Sequence, residues 1–254
     1  MERSAATGHP QIAFDLEMVQ VNSDETISMS DITDPAKFEL LCIGVAYREA
    51  PESEIRSRVL LRDGRSPESE AKLIDEFLEW VDSQSDAETV FTYNGSSYDY
   101  PQLAGRIERC EAAIGTQYEL HERFEQFKDT VPHEDLMLDV EKTFGYRISL
   151  EQMAERMGIR VPVTYWKNYS IPDSVRTQFR EEKELPWITG ADMTVVGEAF
   201  LKYREKGHTD SSPHAEMLDL IWKYAESDVP VLFKLADKRP FPAGRRGLKK
   251  KSGN

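Results

Sequence analysis

A single α/β domain built on one mixed sheet is predicted by three observations. Strand-like apolar runs crowd the early part of the chain, helical periodicities dominate the later part, and no linker long enough to divide them intervenes. Gln11 to Met18 alternates, with Ile12, Phe14, Leu16 and Met18 facing one way and Ala13, Asp15 and Glu17 the other, the pattern of a half-buried strand. Val21 to Lys37 is polar and broken by Asp34-Pro35, which reads as a loop. Leu40 to Tyr47 is a continuous apolar strand and Ile55 to Leu61 a third, so the opening strands should run antiparallel. Ser66-Pro67-Glu68 starts a helix whose stripe is Leu73, Ile74, Phe77, Leu78 and Val81. Thr89 to Tyr93 is a short strand that turns at Asn94-Gly95 into a helix over about Pro101 to Ala113.

Gly115 to Thr130 is charged and ambiguous. Leu136 to Phe144 and Leu150 to Met157 read as short helices, the second capped by Ser149. Arg160 to Pro186 is irregular, with three prolines among aromatics, and two longer helices follow at about Asp192 to Lys206 and His214 to Leu235. The domain is expected over 11–240, between a flexible N-terminus (1–10) and a basic flexible tail (241–254).

With 254 residues the chain can bury a sizeable core, and 31% charged residues imply a densely charged surface. The net charge of −14 argues against a non-specific nucleic-acid binder, unless bound cations supply the positive charge where a phosphate sits. Cys42 and Cys110 have neither the spacing of a zinc site nor that of a disulfide framework, and read as buried thiols. Met1 to Pro10 lacks the apolar segment of a signal peptide and no stretch spans a bilayer, so a cytoplasmic location is expected. No glycine-rich dinucleotide loop or Walker sequence supports an unrelated metabolic enzyme.

Three acidic stretches carry the chemistry: Phe14-Asp15-Leu16-Glu17-Met18, Asn94-Gly95-Ser96-Ser97-Tyr98-Asp99 and Tyr224-Ala225-Glu226-Ser227-Asp228. Asp15 and Glu17, two apart on a strand, project from one face; a solvated strand face would look the same. Tyr224 and Asp228, four apart, share a helix face, as they would in any amphipathic helix. Asp99 stands near a helix N-terminus, where a carboxylate is favoured, either as a cap or as a ligand. Asp135 and Asp139 are assigned to a helix start and its solvated face.

Together, in this order, the three stretches resemble the exonuclease motifs of the DEDD superfamily, and the tyrosine four before the last aspartate resembles its DEDDy branch. The likeness runs from about Gln11 to Lys238 and is greatest to the 3′–5′ exonuclease domain of family B DNA polymerases and its stand-alone relatives. It implies a ribonuclease H-like mixed β-sheet flanked by α-helices. It also implies a site with two divalent cations, Mg²⁺ or Mn²⁺. Asp15 would bridge the two ions, Glu17 and Asp228 would complete the first, Asp99 would hold the second through water, and Tyr224 would position the attacking water. The implied substrate is the 3′ end of single-stranded nucleic acid, DNA ranked ahead of RNA, with nucleoside 5′-monophosphates as products. A polymerase or repair partner is left open. Asn94 either contacts the substrate backbone or braces its turn, and Tyr98 either meets substrate or packs. Trp166 and Lys167, in Tyr165-Trp166-Lys167-Asn168-Tyr169, either grip a single strand or anchor a loop. Two alternatives stay open: a catalytically silent binding module on the same fold, and an RNA-directed or endonucleolytic relative.

Overall fold

A computed structural model describes residues 9–22, 31, 33–171 and 187–242. Its centre is a five-stranded sheet in the order β3-β2-β1-β4-β5. Strands β1 (Gln11–Gln20), β2 (Phe38–Arg48) and β3 (Arg56–Leu61) form the expected antiparallel meander. On the other side, β1 pairs in parallel with β4 (Thr89–Thr92), and β4 with β5 (His133–Asp135). The β5 strand was not foreseen; three residues are too few to show a period.

Around the sheet lie α1 (Pro67–Ser83), α2 (Asp99–Ile114), α3 (Leu120–Thr130), α4 (Leu136–Phe144), α5 (Leu150–Arg156), α6 (Gly190–Glu205) and α7 (Ser212–Ala236). The caps read from sequence are in place: Ser66 accepts from the Ser69 N–H and Ser149 from the Gln152 N–H. The ambiguous charged stretch is a helix, α3, because Leu120, Phe124 and Phe127 bury a stripe against the core. Asp135 caps α4 as assigned, and Asp139 accepts from Arg239 at that helix's outer face.

Both faces of the sheet are covered. Ile12, Phe14, Leu16 and Met18 pack against α1, α2 and α3, while Ala13 and Val19 point to the layer of α4, α5, α6 and α7. The expected half-buried β1 is therefore corrected to a strand buried on both faces, with Ala13 0% and Glu17 7% exposed. A central strand flanked by helices has no solvated side. Cys42 and Cys110 are free and buried, as expected. Phe241 is buried in the core, one residue beyond the expected end of the domain. Most of the two expected flexible ends, and the irregular stretch over 172–186, lie outside the described residues. Among the described residues no helix is long and apolar enough to cross a membrane.

Candidate metal centre

The site lies where the parallel strands diverge. β1 pairs with β4 only over Gln11 to Ala13, then runs on alone beside β2. Asp15 and Glu17 therefore emerge past the carboxyl end of β4, the position where open α/β sheets place ligands. The register of β1 on β2 shifts between Glu17 and Met18, which pair with Cys42 and Leu40 and leave Leu41 of β2 as the extra residue.

From the other layer, α7 brings Tyr224 and Asp228 down onto these carboxylates. Its approach depends on Gly44, which faces Asp15 across the β1–β2 ladder. A Cβ on Gly44 would stand 2.7 Å from the Ala225 carbonyl oxygen and 3.3 Å from Val229 Cγ1. Only a glycine lets the helix backbone sit this close to the sheet. One carboxylate oxygen from each of Asp15, Glu17 and Asp228 consequently lies within 4.8 Å of the other two.

Asp99 arrives by a different route. The chain leaves β4 through Asn94, whose backbone is left-handed (φ 71°), and Gly95, where a Cβ would strike Thr92 Oγ1 at 2.1 Å. Asp135 locks this turn by accepting from the Asn94 N–H at 2.8 Å and the Ser96 N–H at 3.0 Å. Asp99, 2% exposed, starts α2 and accepts from the Leu16 backbone N–H between Asp15 and Glu17. It is thus adjacent to the three-carboxylate group without belonging to it.

Crowding these acids in a buried place makes each resist ionisation. Burial first, then the Asp99 charge, raises Asp15 well above the ordinary carboxylate range. Burial, then Asp15 and Asp228, does the same to Glu17. Burial pushes Asp99 up to about 7 despite its backbone hydrogen bonds, and burial with the Asp15 and Glu151 charges pushes Asp228 up to about 8. The Tyr224 phenol is driven far above its usual value by burial and by Glu17, so it stays a neutral hydroxyl. Cys42, opposite Glu17, is likewise held as a thiol.

Asp15, Glu17, Tyr224 and Asp228 open into a cleft of about 600 Å³, which the buried Asp99 does not line. Tyr98 lines it while packing against the core. Gly190, Ala191, Thr194 and Val195 of α6 form the opposite wall, and a Cβ on Gly190 would come 3.7 Å from the Tyr224 hydroxyl. Asn94 does not line the cleft; its amide oxygen accepts from Arg147 at 3.3 Å. Trp166 and Lys167 do not line it either: Trp166 packs against the core beside α6 and α7, and the Lys167 ammonium lies over the Tyr165 ring.

One residue at the cleft escaped the sequence reading. Glu151, the second residue of α5, lines it and raises Asp15, Glu17 and Asp228 through its charge. The Tyr93 hydroxyl fixes its approach by donating to the Ile148 carbonyl at 2.6 Å, just before the Ser149 cap. The cap was legible, but nothing in the sequence says that the first turn of α5 faces the carboxylates.

A family model described as the RNase_H superfamily matches residues 31–239. The chain belongs to the RNase_H superfamily. The match begins after β1, so Asp15 and Glu17 lie outside it. The fold class expected from the sequence, a ribonuclease H-like mixed sheet with flanking helices, is the one observed.

Among solved structures, the family B DNA polymerase from the hyperthermophilic archaeon Pyrobaculum calidifontis is similar over 93% of this chain. The TM-score is 0.52 and the identity 18%. This RNase_H-superfamily chain spans only 25% of that polymerase, and the likeness is one of fold. The structure of the yeast NOT1 MIF4G domain co-crystallized with CAF1 matches over 79% of this chain and 81% of its own, with 13% identity and a TM-score of 0.40. No curated protein matches the chain.

Proposed function

We propose that this RNase_H-superfamily chain is a metal-dependent nuclease of the DEDDy type. In this reading it hydrolyses the last phosphodiester at the 3′ end of single-stranded nucleic acid, DNA ahead of RNA. The observation that carries the reading is the convergence of Asp15, Glu17 and Asp228 within 4.8 Å, with Tyr224 beside them in one open cleft. The resemblance of the three motifs, together with the similarity in fold to a family B polymerase, supports the choice of reaction.

The donor set fits hard divalent cations such as Mg²⁺ or Mn²⁺, since every candidate ligand atom is a carboxylate oxygen. The raised pKa values of Asp15, Glu17 and Asp228 point the same way, because groups held together against their own repulsion are those a cation relieves. Asp15, Glu17 and Asp228 would hold one ion, and Asp15 with Asp99 a second. Such a pair supplies charge neutralisation for the attacking and leaving oxygens of an in-line displacement.

The chain's own groups do the rest. The neutral Tyr224 hydroxyl holds the attacking water by hydrogen bonding, with the bare Gly190 backbone leaving room beside it. Water oxygen bonds to the terminal phosphorus as the bond to the preceding O3′ breaks, and the released oxygen ends protonated as the new 3′ hydroxyl. Tyr98 and the α6 wall confine the terminal nucleotide. The backbone hydrogen bond from Leu16, between Asp15 and Glu17, holds the buried Asp99 carboxylate beside them.

Digestion of 5′-labelled single-stranded DNA and RNA with Mg²⁺ or Mn²⁺, beside EDTA and Asp15→Ala controls, tests the proposal. A ladder shortening from the 3′ end, abolished by both controls, is the expected result. A folded protein that binds oligonucleotide yet cleaves none under either metal would make the chain a binding module instead.

A further inference from the structure

Among the described residues, no lysine or arginine lines the acidic cleft to meet the phosphates upstream of a strand's last bond, and the chain as a whole carries −14. Cations are found instead on the adjoining flank of α7. Tyr224 and Asp228 face the cleft, while Lys223, Ser227, Pro230 and Lys234 repeat at helical spacing roughly a third of a turn away.

That stripe, about 16 Å long at 1.5 Å per residue, forms one wall of a second groove of about 460 Å³. Its opposite wall is the segment holding Thr164, Asn168 and Tyr169. The end of the aromatic and basic stretch singled out in the sequence, Asn168 and Tyr169, therefore lines this groove. Lys167, exposed, precedes Asn168 of that wall in sequence and carries its ammonium over the Tyr165 ring. Ser227, which lines the groove, donates to the Tyr224 carbonyl at 2.8 Å and stands 3.2 Å from Asp228 Oδ1, so the groove runs beside residues of the acidic cleft.

Not all of the groove's charge is available. Lys223 is paired with Asp219 at 2.6 Å, and Glu226 receives a hydrogen bond from Ser57 at 3.3 Å. Lys234 and Lys167 have no carboxylate partner among the described residues. The hydroxyl of Thr164 and the amide of Asn168 add donors that suit phosphate oxygens.

We propose that this groove is a binding subsite for the phosphodiester backbone of a single nucleic-acid strand, seated a few nucleotides upstream of the end held in the acidic cleft. The proposal rests on the nuclease reading for the strand's direction, but its binding chemistry stands apart from catalysis.

Anisotropy of a fluorescent single-stranded 20-mer, titrated in EDTA over a range of salt, separates the two. Without divalent ions the carboxylate cleft repels phosphate, so the affinity that remains reports the groove. The double variant Lys167→Glu/Lys234→Glu should bind about tenfold more weakly at low salt, with the salt slope reduced by about 1–2. Lys128→Glu on the distant α3 should bind as the parent does. Weakened binding in the double variant supports the groove even if no cleavage is ever seen, in which case the nuclease reading alone falls. Parent-like affinity and slope in the double variant, or a parent chain that binds no strand in EDTA, overturns the groove while leaving a metal-dependent digestion result intact.

Discussion

Replacing Gly44 with alanine is a one-methyl test of how the candidate centre is assembled. The new Cβ would lie 2.7 Å from the Ala225 carbonyl oxygen, where ordinary contact starts near 3.4 Å, so α7 must withdraw by about 0.7 Å or the strand must yield as much. Overfilling a packed interior in this way costs about 1–3 kcal/mol, or roughly 3–10 °C in Tm for a chain of this size. The functional loss should exceed what that destabilisation explains. Tyr224 and Asp228 flank Ala225 on the displaced turn, and a shift near 1 Å in a reacting group can lower rate about a hundredfold. The assay is single-turnover digestion of a labelled strand well below the melting transition, with Mg²⁺ affinity measured in parallel. Gly64→Ala is the control, because a Cβ there meets nothing within 4 Å. A Gly44→Ala protein that keeps both its Tm and its rate would refute the idea that this contact sets the separation of the carboxylates.

Three other outcomes follow from the electrostatics. Asp99 at about 7 and Asp228 at about 8 lie well above an unfolded aspartate near 3.9, so the folded chain binds more protons than the unfolded one between those values. Metal-free protein should therefore lose stability as pH rises from about 4 to 8, less so in Asp228→Asn, and Mg²⁺ should restore most at the alkaline end; calorimetry in EDTA and in Mg²⁺ reads all three. Glu151→Gln removes a charge that raises Asp15, Glu17 and Asp228, so it should weaken Mg²⁺ binding several-fold near pH 8 and move the acid limit of binding to lower pH. Isothermal titration across that range would contradict this if neither quantity moved. Glu70, fully buried, accepts from the Leu40 N–H and, through both oxygens, from Arg106, with Arg62 at 3.8 Å. Its replacement by alanine strands the buried Arg106 guanidinium, while Arg62 keeps Glu39 at 2.9 Å, and should cost about 3–5 kcal/mol, seen as a Tm loss of roughly 10 °C with the Mg²⁺ affinity of the surviving folded protein intact.

The fold was legible where one physical period dominated. β1 to β3, α1 and the two closing helices were bounded within a few residues, because each shows a clean two-fold or helical repeat or a capping signal. β5 was missed because His133–Asp135 is specified by pairing with β4, and its side chains serve the turn and the α4 cap. α3 was ambiguous because eleven residues with one apolar stripe cannot outweigh their charge until a partner surface exists. At the candidate centre, Asp15, Glu17, Tyr224 and Asp228 were readable as pairs at two-residue and four-residue spacing. Their convergence depends on contacts distant in sequence, such as Gly44 beneath Ala225, that no local pattern contains. Glu151 was invisible for the same reason, and Asp135, read only as a cap, also holds the Asn94–Gly95 turn.

A net charge of −14 looks at first like an argument against a polyanionic substrate. The placement of the charge changes that conclusion. Much of the buried acid is either neutralised in place, as Glu39 and Glu70 are by Arg62, Arg65 and Arg106, or gathered at the cleft, where it resists ionisation. A cation entering that cleft would discharge several unfavourable proton equilibria at once, so its affinity should climb steeply as pH rises. The phosphate then meets the ions rather than the carboxylates, and upstream phosphates need only Lys234 of α7 and the exposed Lys167, which have no acidic partner among the described residues. Under this arrangement, raising salt should weaken the grip on the strand while leaving the rate for an already bound end nearly untouched. Lowering pH should do the reverse, abolishing turnover before the groove releases its strand.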